Sequence, residues 1–163
     1  MERLQQYDVV VVGGGTAGVS AAVGAAKTGA KTLLIERNAY LGGEATNSGV
    51  SAFCGFYTCG ENPVRVVEGV GRLVLNEMEA LGPTVDYVIS ATGNRNINFQ
   101  PEYLKCAMDN LLEKERVDYL LHTSVIGADT ENGTITAIHC VDDEGTFTVA
   151  AKAFVDASGD ANL

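Results

Sequence analysis

The N-terminal part of the chain combines two strand patterns with one helical pattern. Residues 7–12 form a continuous, mostly β-branched run, which is typical of a central strand buried on both faces of a parallel sheet. After a cluster of glycines, apolar residues recur at helical spacing at Val19, Ala22, Val23 and Ala26. Gly29 follows as a helix cap, and residues 31–36 (KTLLIE) predict a second strand. The pattern predicts one βαβ unit with a right-handed crossover.

The middle of the chain predicts a loop followed by two helices. Residues 40–61 show no periodicity and are rich in Gly, Asn and Ser, which predicts a long ordered loop with a functional role. A helix is predicted from the Asn-Pro pair at 62–63 to the Gly-Pro stop at 82–83. Residues 84–90 then predict a strand at the edge of the main sheet or outside it. A second helix is predicted from near Pro101. Its inward-facing residues are Leu104, Ala107, Met108 and Leu111.

The last third of the chain changes from a parallel to an antiparallel pattern. Residues 117–122 (VDYLLH) predict a third parallel strand. Residues 124–151 alternate between apolar and polar, and turn signals interrupt them at 132–133 and 143–145. This pattern predicts a three-stranded antiparallel meander. Residues 152–157 (KAFVDA) are predicted to return to the parallel sheet and to end at a second glycine turn.

Length and composition narrow the class of protein. Residues 1–163 are interpreted as one domain, in which residues 83–100 form an insertion at the edge of the sheet. Acidic residues outnumber basic ones by 21 to 11 without a Lys/Arg cluster, which argues against nucleic acid as a partner.

The apolar stretch at 9–26 contains several glycines and lacks the basic flank of a signal peptide. Neither a membrane partner nor a targeting signal is predicted, and a cytoplasmic location is the default.

The cysteines give no sign of a metal site. They are irregularly spaced, and no C-x-x-C pair occurs among Cys54, Cys59, Cys106 and Cys140. This arrangement predicts reduced thiols in a reducing compartment and no bound metal.

Gly13, Gly15 and Gly18 satisfy the pattern G-x-G-x-x-G directly after the first predicted strand. The first glycine permits a sharp exit from the strand, the second lets a pyrophosphate approach the backbone, and the third lets the helix pack tightly on the sheet. The amides around Thr16 and Ala17 then face the diphosphate with the positive end of the helix dipole. We therefore predict a dinucleotide-binding turn in a Rossmann-like parallel sheet.

Glu36, at the end of the second predicted strand, completes this fingerprint. It lies 18 residues after Gly18, close to the offset of about 20 expected for an acid that accepts hydrogen bonds from an adenosine ribose. An acid at this position repels a 2′-phosphate on the adenosine ribose. Arg37 beside it weakens this argument against a cofactor that carries such a phosphate. The fingerprint does not choose between FAD and NAD.

The chain resembles the FAD-dependent oxidoreductases of the glutathione-reductase-like fold. Several consecutive segments carry the resemblance: DVVVVGGGTAGVSAA, LLIERNAYLGGEATNSG, FCGFY, FQPEYLKCAMDNLLEK and FVDASGDANL. It extends over nearly the whole chain and implies the α/β FAD/NAD(P)-binding fold, in which a Rossmann-like parallel sheet with helices is joined to a three-stranded antiparallel β-meander. FAD is the cofactor that it implies.

The resemblance also implies the residues that would contact this cofactor. The glycine turn would hold the FAD pyrophosphate and Glu36 the adenosine ribose, with Arg37 beside it. Gly42 and Gly43 would line the path toward the flavin, because missing side chains let the cofactor lie against the backbone. Val125 would offer main-chain hydrogen bonds to adenine. The second glycine turn would pass close to the cofactor at Ala157, Ser158 and Gly159.

Members of this family continue beyond the second glycine turn into a substrate domain, so the chain is interpreted as a truncated N-terminal portion. The hypothesis is the FAD-binding portion of a flavin-dependent oxidoreductase whose substrate is unknown. Two alternatives stay open: an NAD-binding dehydrogenase domain, and a non-enzymatic dinucleotide-binding module that needs a partner chain. FAD and a small-molecule substrate are the expected partners, and homo-oligomerisation is left open.

No residue is assigned as catalytic from the sequence. Cys54 and Cys59 share the C-x-x-x-x-C spacing of flavin disulfide reductases, but they follow the paired glycines too late, which favours two thiols packed in a loop. His122 and His139 have no obvious acid partners and receive no role. Asp160 is interpreted either as a cofactor ligand or as a helix cap. Further candidates for contact with the flavin are Glu44, Asn47, Ser48, Phe56 and Tyr57.

Overall fold

The computed structural model describes residues 4–82, 85–161 and 163. Within these residues the strands are β1 (Leu4–Val12), β2 (Thr32–Ile35), β3 (Ala52–Phe53), β4 (Val85–Ile89), β5 (Arg95–Phe99), β6 (Asp118–Leu120), β7 (Ser124–Glu131), β8 (Thr134–Asp142) and β9 (Gly145–Asp156). The helices are α1 (Thr16–Lys27), α2 (Glu44–Asn47), α3 (Val70–Leu81) and α4 (Pro101–Lys114). The chain divides into two compact units. The first consists of Met1–Gly43 and Leu112–Leu163, and the second of Glu44–Leu111.

The first unit is built on a six-stranded sheet with the order β6-β2-β1-β9-β8-β7. β1 pairs in parallel with β2 on one side and with β9 on the other, and β2 pairs in parallel with β6. Val10 and Val11 of β1 and Leu34 of β2 are completely shielded from solvent. The predicted order of strand, helix and strand is confirmed, and so is the third parallel strand.

β9 is one strand where the sequence predicts two. Residues 145–150 pair antiparallel with β8, and residues 148–156 pair in parallel with β1. No turn interrupts β9, so the third strand of the meander continues directly into the strand that returns to the parallel sheet. Asp156 therefore lies opposite Val12, and the carboxyl ends of β1 and β9 are side by side.

Apolar side chains from both parts of this sheet share one core. Its buried members include Val10, Leu33, Ile138, Cys140, Phe147 and Val149. Burial, with a smaller contribution from Asp142, raises the pKa of the Cys140 thiol to about 11. This thiol is therefore protonated at neutral pH and is a packing residue.

The second unit contains a three-stranded antiparallel sheet with the order β3-β5-β4. β4 confirms the strand predicted at 84–90 and lies outside the six-stranded sheet, whereas residues 83–84 lie outside the described residues. β5 was not predicted, because its polar residues obscure the two that pack inward, Ile97 and Phe99. The loop predicted at 40–61 is also interrupted, since α2 and β3 fall within it.

The helix start predicted at residues 62–63 is wrong. α3 begins at Val70 instead. The Val64 carbonyl and the amides of Val66 and Val67 form backbone hydrogen bonds of 2.8–3.3 Å with residues 56–58, so these groups are committed to that pairing. Gly69 then has φ +67°, which breaks a right-handed helical path. The competing backbone pairing is a non-local contact, which the local helical periodicity does not reveal.

α4 begins at Pro101 as predicted. The four residues predicted to face inward are all buried, namely Leu104, Ala107, Met108 and Leu111. Across the part of the chain that the structure describes, no helix has the length and apolar character needed to cross a bilayer. The assignment of residues 1–163 to one domain, with 83–100 as an insertion, stays a prediction.

Candidate functional site

The first glycine turn follows β1 and crosses close to the turn that follows β9. Gly13 has φ +103°, and a Cβ added there would overlap the carbonyl oxygen of Ala157. A Cβ added at Gly18 would overlap the carbonyl oxygen of Gly13. The two turns are joined directly by a hydrogen bond of 2.8 Å from the Ala157 amide to the Val12 carbonyl. Gly13 and Gly18 are therefore required by backbone contacts within the protein.

Gly15 differs from these two glycines. Its φ of −68° and ψ of −178° are open to any residue. Among the described residues, an added Cβ would meet only the Gly43 Cα within 4 Å, at 3.8 Å, which is an ordinary van der Waals contact. Neither backbone conformation nor packing inside the protein explains the missing side chain. The space beside Gly15, next to Gly43, therefore has room for a side chain that the sequence leaves out, and it is called the recess below.

The N-terminus of α1 opens beside this recess. The first hydrogen bond of the helix runs from the Val19 amide to the Gly15 carbonyl, at 3.0 Å, so the amides of residues 16–18 precede the helical ladder. Thr16 and Ala17 are exposed. No side chain caps this end, and the first turn contains no acidic residue. These amides form a site of positive potential that favours an anion.

Glu36 is nearly buried, with 6% of its surface exposed, and it contacts the glycine turn directly. Its Oε2 accepts a hydrogen bond from the Gly14 amide at 2.6 Å. Its Oε1 accepts from the Asn38 amide at 2.8 Å and from the Asn38 side chain at 2.6 Å. The sequence predicts a ribose contact for Glu36 but not this role in fixing the turn. Arg37 beside it is exposed.

The paired glycines after β2 also lie against the turn. The Gly42 amide donates to the Gly14 carbonyl at 2.8 Å, and Gly42 and Gly15 form a short parallel bridge. A Cβ at Gly43 would lie 3.0 Å from the Gly15 Cα, which is tighter than ordinary packing. The structure therefore brings together the glycines of both segments.

The turn after β9 is held by an acid that the sequence analysis missed. The Asp156 carboxylate accepts hydrogen bonds from the Ser158 amide at 2.9 Å and the Ser158 hydroxyl at 2.6 Å, and it also accepts from the Leu163 amide at 2.9 Å. An Asp whose side chain bonds the amide two residues later forms an Asx turn, so the Asp-Ala-Ser sequence was the available signal. Gly159 in this turn has φ +89°, and Asp160 is exposed.

Asp156 is expected to titrate below the 3.8 of an unperturbed aspartate. The Ser158 hydroxyl bond, followed by the amide bonds from Ser158 and Leu163, favours the charged form and lowers the pKa. The stabilisation of this turn by Asp156 is therefore fully present above the unperturbed pKa of 3.8, and it is lost as the pH falls through the lowered pKa. A carbon-13 NMR titration of the carboxyl group measures this, and Ser158→Ala should move the midpoint back toward 3.8. A wild-type midpoint at or above 3.8 would contradict the assignment.

Val125 lies apart from this group of residues in the sheet order. It is in β7 opposite Cys140, and β7 is separated from β1 by β9 and β8. The pairing shifts register between Val125 and Gly127, which is a bulge in an outer strand. Its contact with adenine stays a prediction.

Among the remaining candidates, His139 and the two cysteines of the second unit have contacts or exposure that the structure defines. The expectation that His139 lacks an acid partner is wrong, because its Nε2 lies 3.0 Å from Asp129 Oδ1 across the β7–β8 pair. Cys54 and Cys59 are exposed free thiols, and the Cys59 thiol donates to the Asn94 side chain at 2.8 Å. Within the described ranges, no group of His, Cys, Asp or Glu side chains could hold a metal ion.

Comparison with known proteins gives the same classification over most of the chain. The sequence matches the family described as FAD dependent oxidoreductase over residues 8–163. It is 25% identical to a digeranylgeranylglycerophospholipid reductase from Thermoplasma volcanium, covering 96% of this chain and 40% of that protein. It is 30% identical to the corresponding reductase from Methanospirillum hungatei, covering 77% of this chain and 26% of that protein.

A solved structure shares the fold. The crystal structure of a geranylgeranyl bacteriochlorophyll reductase-like protein from Thermoplasma acidophilum superposes with a TM-score of 0.65 at 22% identity, covering 96% of this chain and 40% of that one. The chain thus spans less than half the length of each of these proteins. The α/β FAD/NAD(P)-binding fold is confirmed by this likeness. On the match that extends from residue 8 to residue 163, the chain belongs to the FAD dependent oxidoreductase family.

Proposed function

We propose that this chain is the FAD-binding portion of a flavin-dependent oxidoreductase and holds the cofactor's diphosphate at the N-terminus of α1. The open recess at Gly15 is the observation that carries the proposal. Gly13 and Gly18 are glycines because the backbone leaves no room for a Cβ, whereas Gly15 has both the room and a permissive conformation. A ligand that approaches the backbone at this point accounts for the missing side chain.

The residues around the recess suit the adenine half of FAD. The amides of Thr16 and Ala17 would donate to the diphosphate, where the helix dipole adds to the attraction. Glu36 would keep the turn in shape and also accept from the adenosine ribose. A carboxylate offers about four acceptor positions, and three hydrogen bonds engage Glu36. Arg37 would lie at the outer side of this contact.

The other predicted contacts complete the proposal. Ala157, Ser158 and Gly159 would close the cradle beside the first turn, since Ala157 is hydrogen-bonded to the end of β1. Gly42 and Gly43 would line the route toward the flavin, and Val125 would form main-chain hydrogen bonds with adenine. When bound, FAD supplies electron and hydride transfer, and this chain's residues bind and orient it.

The activity of the whole protein is a redox reaction on a small molecule that these residues do not identify. A partner chain or a further segment would supply the substrate site, because this chain spans 40% or less of the relatives compared above. We also propose a reducing compartment such as the cytoplasm, which the free thiols of Cys54, Cys59 and Cys106 favour.

Ligand competition tests this function. FAD and ADP share the adenosine diphosphate that the recess is proposed to bind, and FMN lacks it. In equilibrium dialysis we expect ADP to compete with FAD, and FMN to bind at least about 10-fold more weakly, equivalent to ~1.4 kcal/mol. Equal binding of FAD and FMN, with no competition by ADP, would contradict the proposed site. Tighter binding of NAD than of FAD would favour the alternative of an NAD-binding dehydrogenase domain.

A further inference from the structure

Arg95 in the second unit is a cation held between two aromatic rings. Its guanidinium carbon lies 4.8 Å from the centroid of the Tyr57 ring and 5.2 Å from that of the Tyr87 ring. The two rings are perpendicular to one another, with centroids 6.2 Å apart. Cation–π contacts of this kind use the ring faces and restrict the movement of the guanidinium.

One donor of Arg95 is not matched by an acceptor in the described part of the chain. Its Nε is buried and has no hydrogen-bond partner there. A buried donor without an acceptor is unfavourable, because it loses its hydrogen bond to water without replacement. Arg95 as a whole is only half-buried, so part of its side chain is open to an acceptor from solution.

Two acids of the second unit, Glu68 and Glu79, are engaged with other side chains. Glu68 pairs with Arg65 at 2.6 Å. Glu79 accepts from the Tyr87 hydroxyl at 2.7 Å and lies 3.7 Å from Arg72. Burial, together with this bond to Glu79, raises the pKa of Tyr87 to about 12, so its hydroxyl remains a donor at neutral pH. In a chain with 21 acidic and 11 basic residues, an arginine without a carboxylate partner among the described residues is unexpected.

We propose that Arg95, oriented by Tyr57 and Tyr87, is the anchor of a second ligand site that binds an oxyanion group of a small molecule. The planar fork of an arginine matches carboxylate and phosphate groups through two parallel hydrogen bonds. The two tyrosines fix this fork before a ligand arrives, which reduces the entropy lost on binding. The inference does not depend on flavin binding, since it concerns only residues of the second unit.

NMR of the arginine side chains tests the proposal directly. The full 163-residue chain is labelled with nitrogen-15 at arginine and titrated separately with acetate, inorganic phosphate and the neutral isostere acetamide. We expect a saturable shift of the Arg95 Nε–H signal with acetate or phosphate and none with acetamide. Arg95→Met should weaken binding at least about 10-fold, whereas Arg65→Met should leave it unchanged, because Arg65 is paired with Glu68.

Each outcome of this titration decides the proposal. Saturation by acetate alone, or by phosphate alone, supports it and identifies the group that is bound. An Arg95 signal that does not move with either anion overturns it, and so does an equal shift of all arginine signals. Arg95→Lys keeps the charge but loses the fork, and undiminished binding by this variant also overturns it. The wild-type signal remains decisive if Arg95→Met does not fold.

Discussion

Gly18→Ala is expected to destabilise the protein by at least about 3 kcal/mol, a large part of the ~5–15 kcal/mol that stabilises a typical domain. Alanine is normally the better helix former by up to about 1 kcal/mol, so helix propensity alone would make this change favourable. The sign reverses here because a Cβ at Gly18 would overlap the Gly13 carbonyl oxygen. The turn after β1 cannot move away without displacing Ala157 as well, because the backbones of Gly13 and Ala157 are in close contact.

Gly24→Ala is the matched control in the same helix. A Cβ at Gly24 would meet nothing within 4 Å among the described residues. This variant should therefore gain up to about 1 kcal/mol from helix propensity. Urea unfolding followed by circular dichroism measures both changes. If Gly18→Ala were as stable as Gly24→Ala, the close crossing of α1 over the glycine turn would be wrong.

Gly15→Ala is expected to separate ligand binding from stability. Its unfolding free energy should change by less than about 1 kcal/mol, since the new Cβ makes only an ordinary contact at 3.8 Å with Gly43. The methyl group would occupy the recess where the diphosphate is proposed to approach. We therefore expect the affinity for FAD to fall at least about 10-fold. Flavin fluorescence titration gives the affinity, and thermal unfolding gives the stability.

Gly24→Ala serves again as the comparison, because it should bind FAD as the wild type does. Undiminished binding by Gly15→Ala would remove the main support for the proposed site. A Gly15→Ala protein that loses stability instead would show that this glycine is required for packing, as Gly13 and Gly18 are.

The regular elements of the first unit were predictable because their signals are local. A β-branched run and a helical repeat predict β1 and α1 without any knowledge of their neighbours. Turn residues at 132–133 and 143–145 likewise predict the hairpins between β7, β8 and β9. The continuity of β9 was missed because sequence alternation does not show which two strands flank a third.

The second unit was less predictable because long-range pairing determines it. The apolar periodicity before Val70 favours a helix, but hydrogen bonds between residues 64–67 and 56–58 compete with it successfully. β5 is short and polar, and it forms the centre of its sheet by pairing with β3 and β4, which are distant from each other in the sequence. Such contacts leave no periodic trace in the sequence.

The glycines of the candidate site and the position of Glu36 were predictable, but the hydrogen bonds by which Glu36 and Asp156 hold the two turns were not. G-x-G-x-x-G marks the first turn because each glycine has its own mechanical reason. The bond from Gly14 to Glu36 joins residues 22 apart in sequence, and no spacing rule predicts it. The Asx turn of Asp156 is local, but this acid lies outside the glycine pattern that marks the turn.

NMR mapping of FAD binding on the nitrogen-15-labelled chain tests the central claim most directly. If the cofactor's diphosphate lies at the N-terminus of α1, the largest amide shifts will occur at Gly15, Thr16 and Ala17. Smaller shifts will follow in the turn at Ala157 and Ser158. The amide signal of Gly24, near the C-terminal end of α1, will not shift. Binding of FAD with the amides of residues 15–17 unchanged would contradict the account.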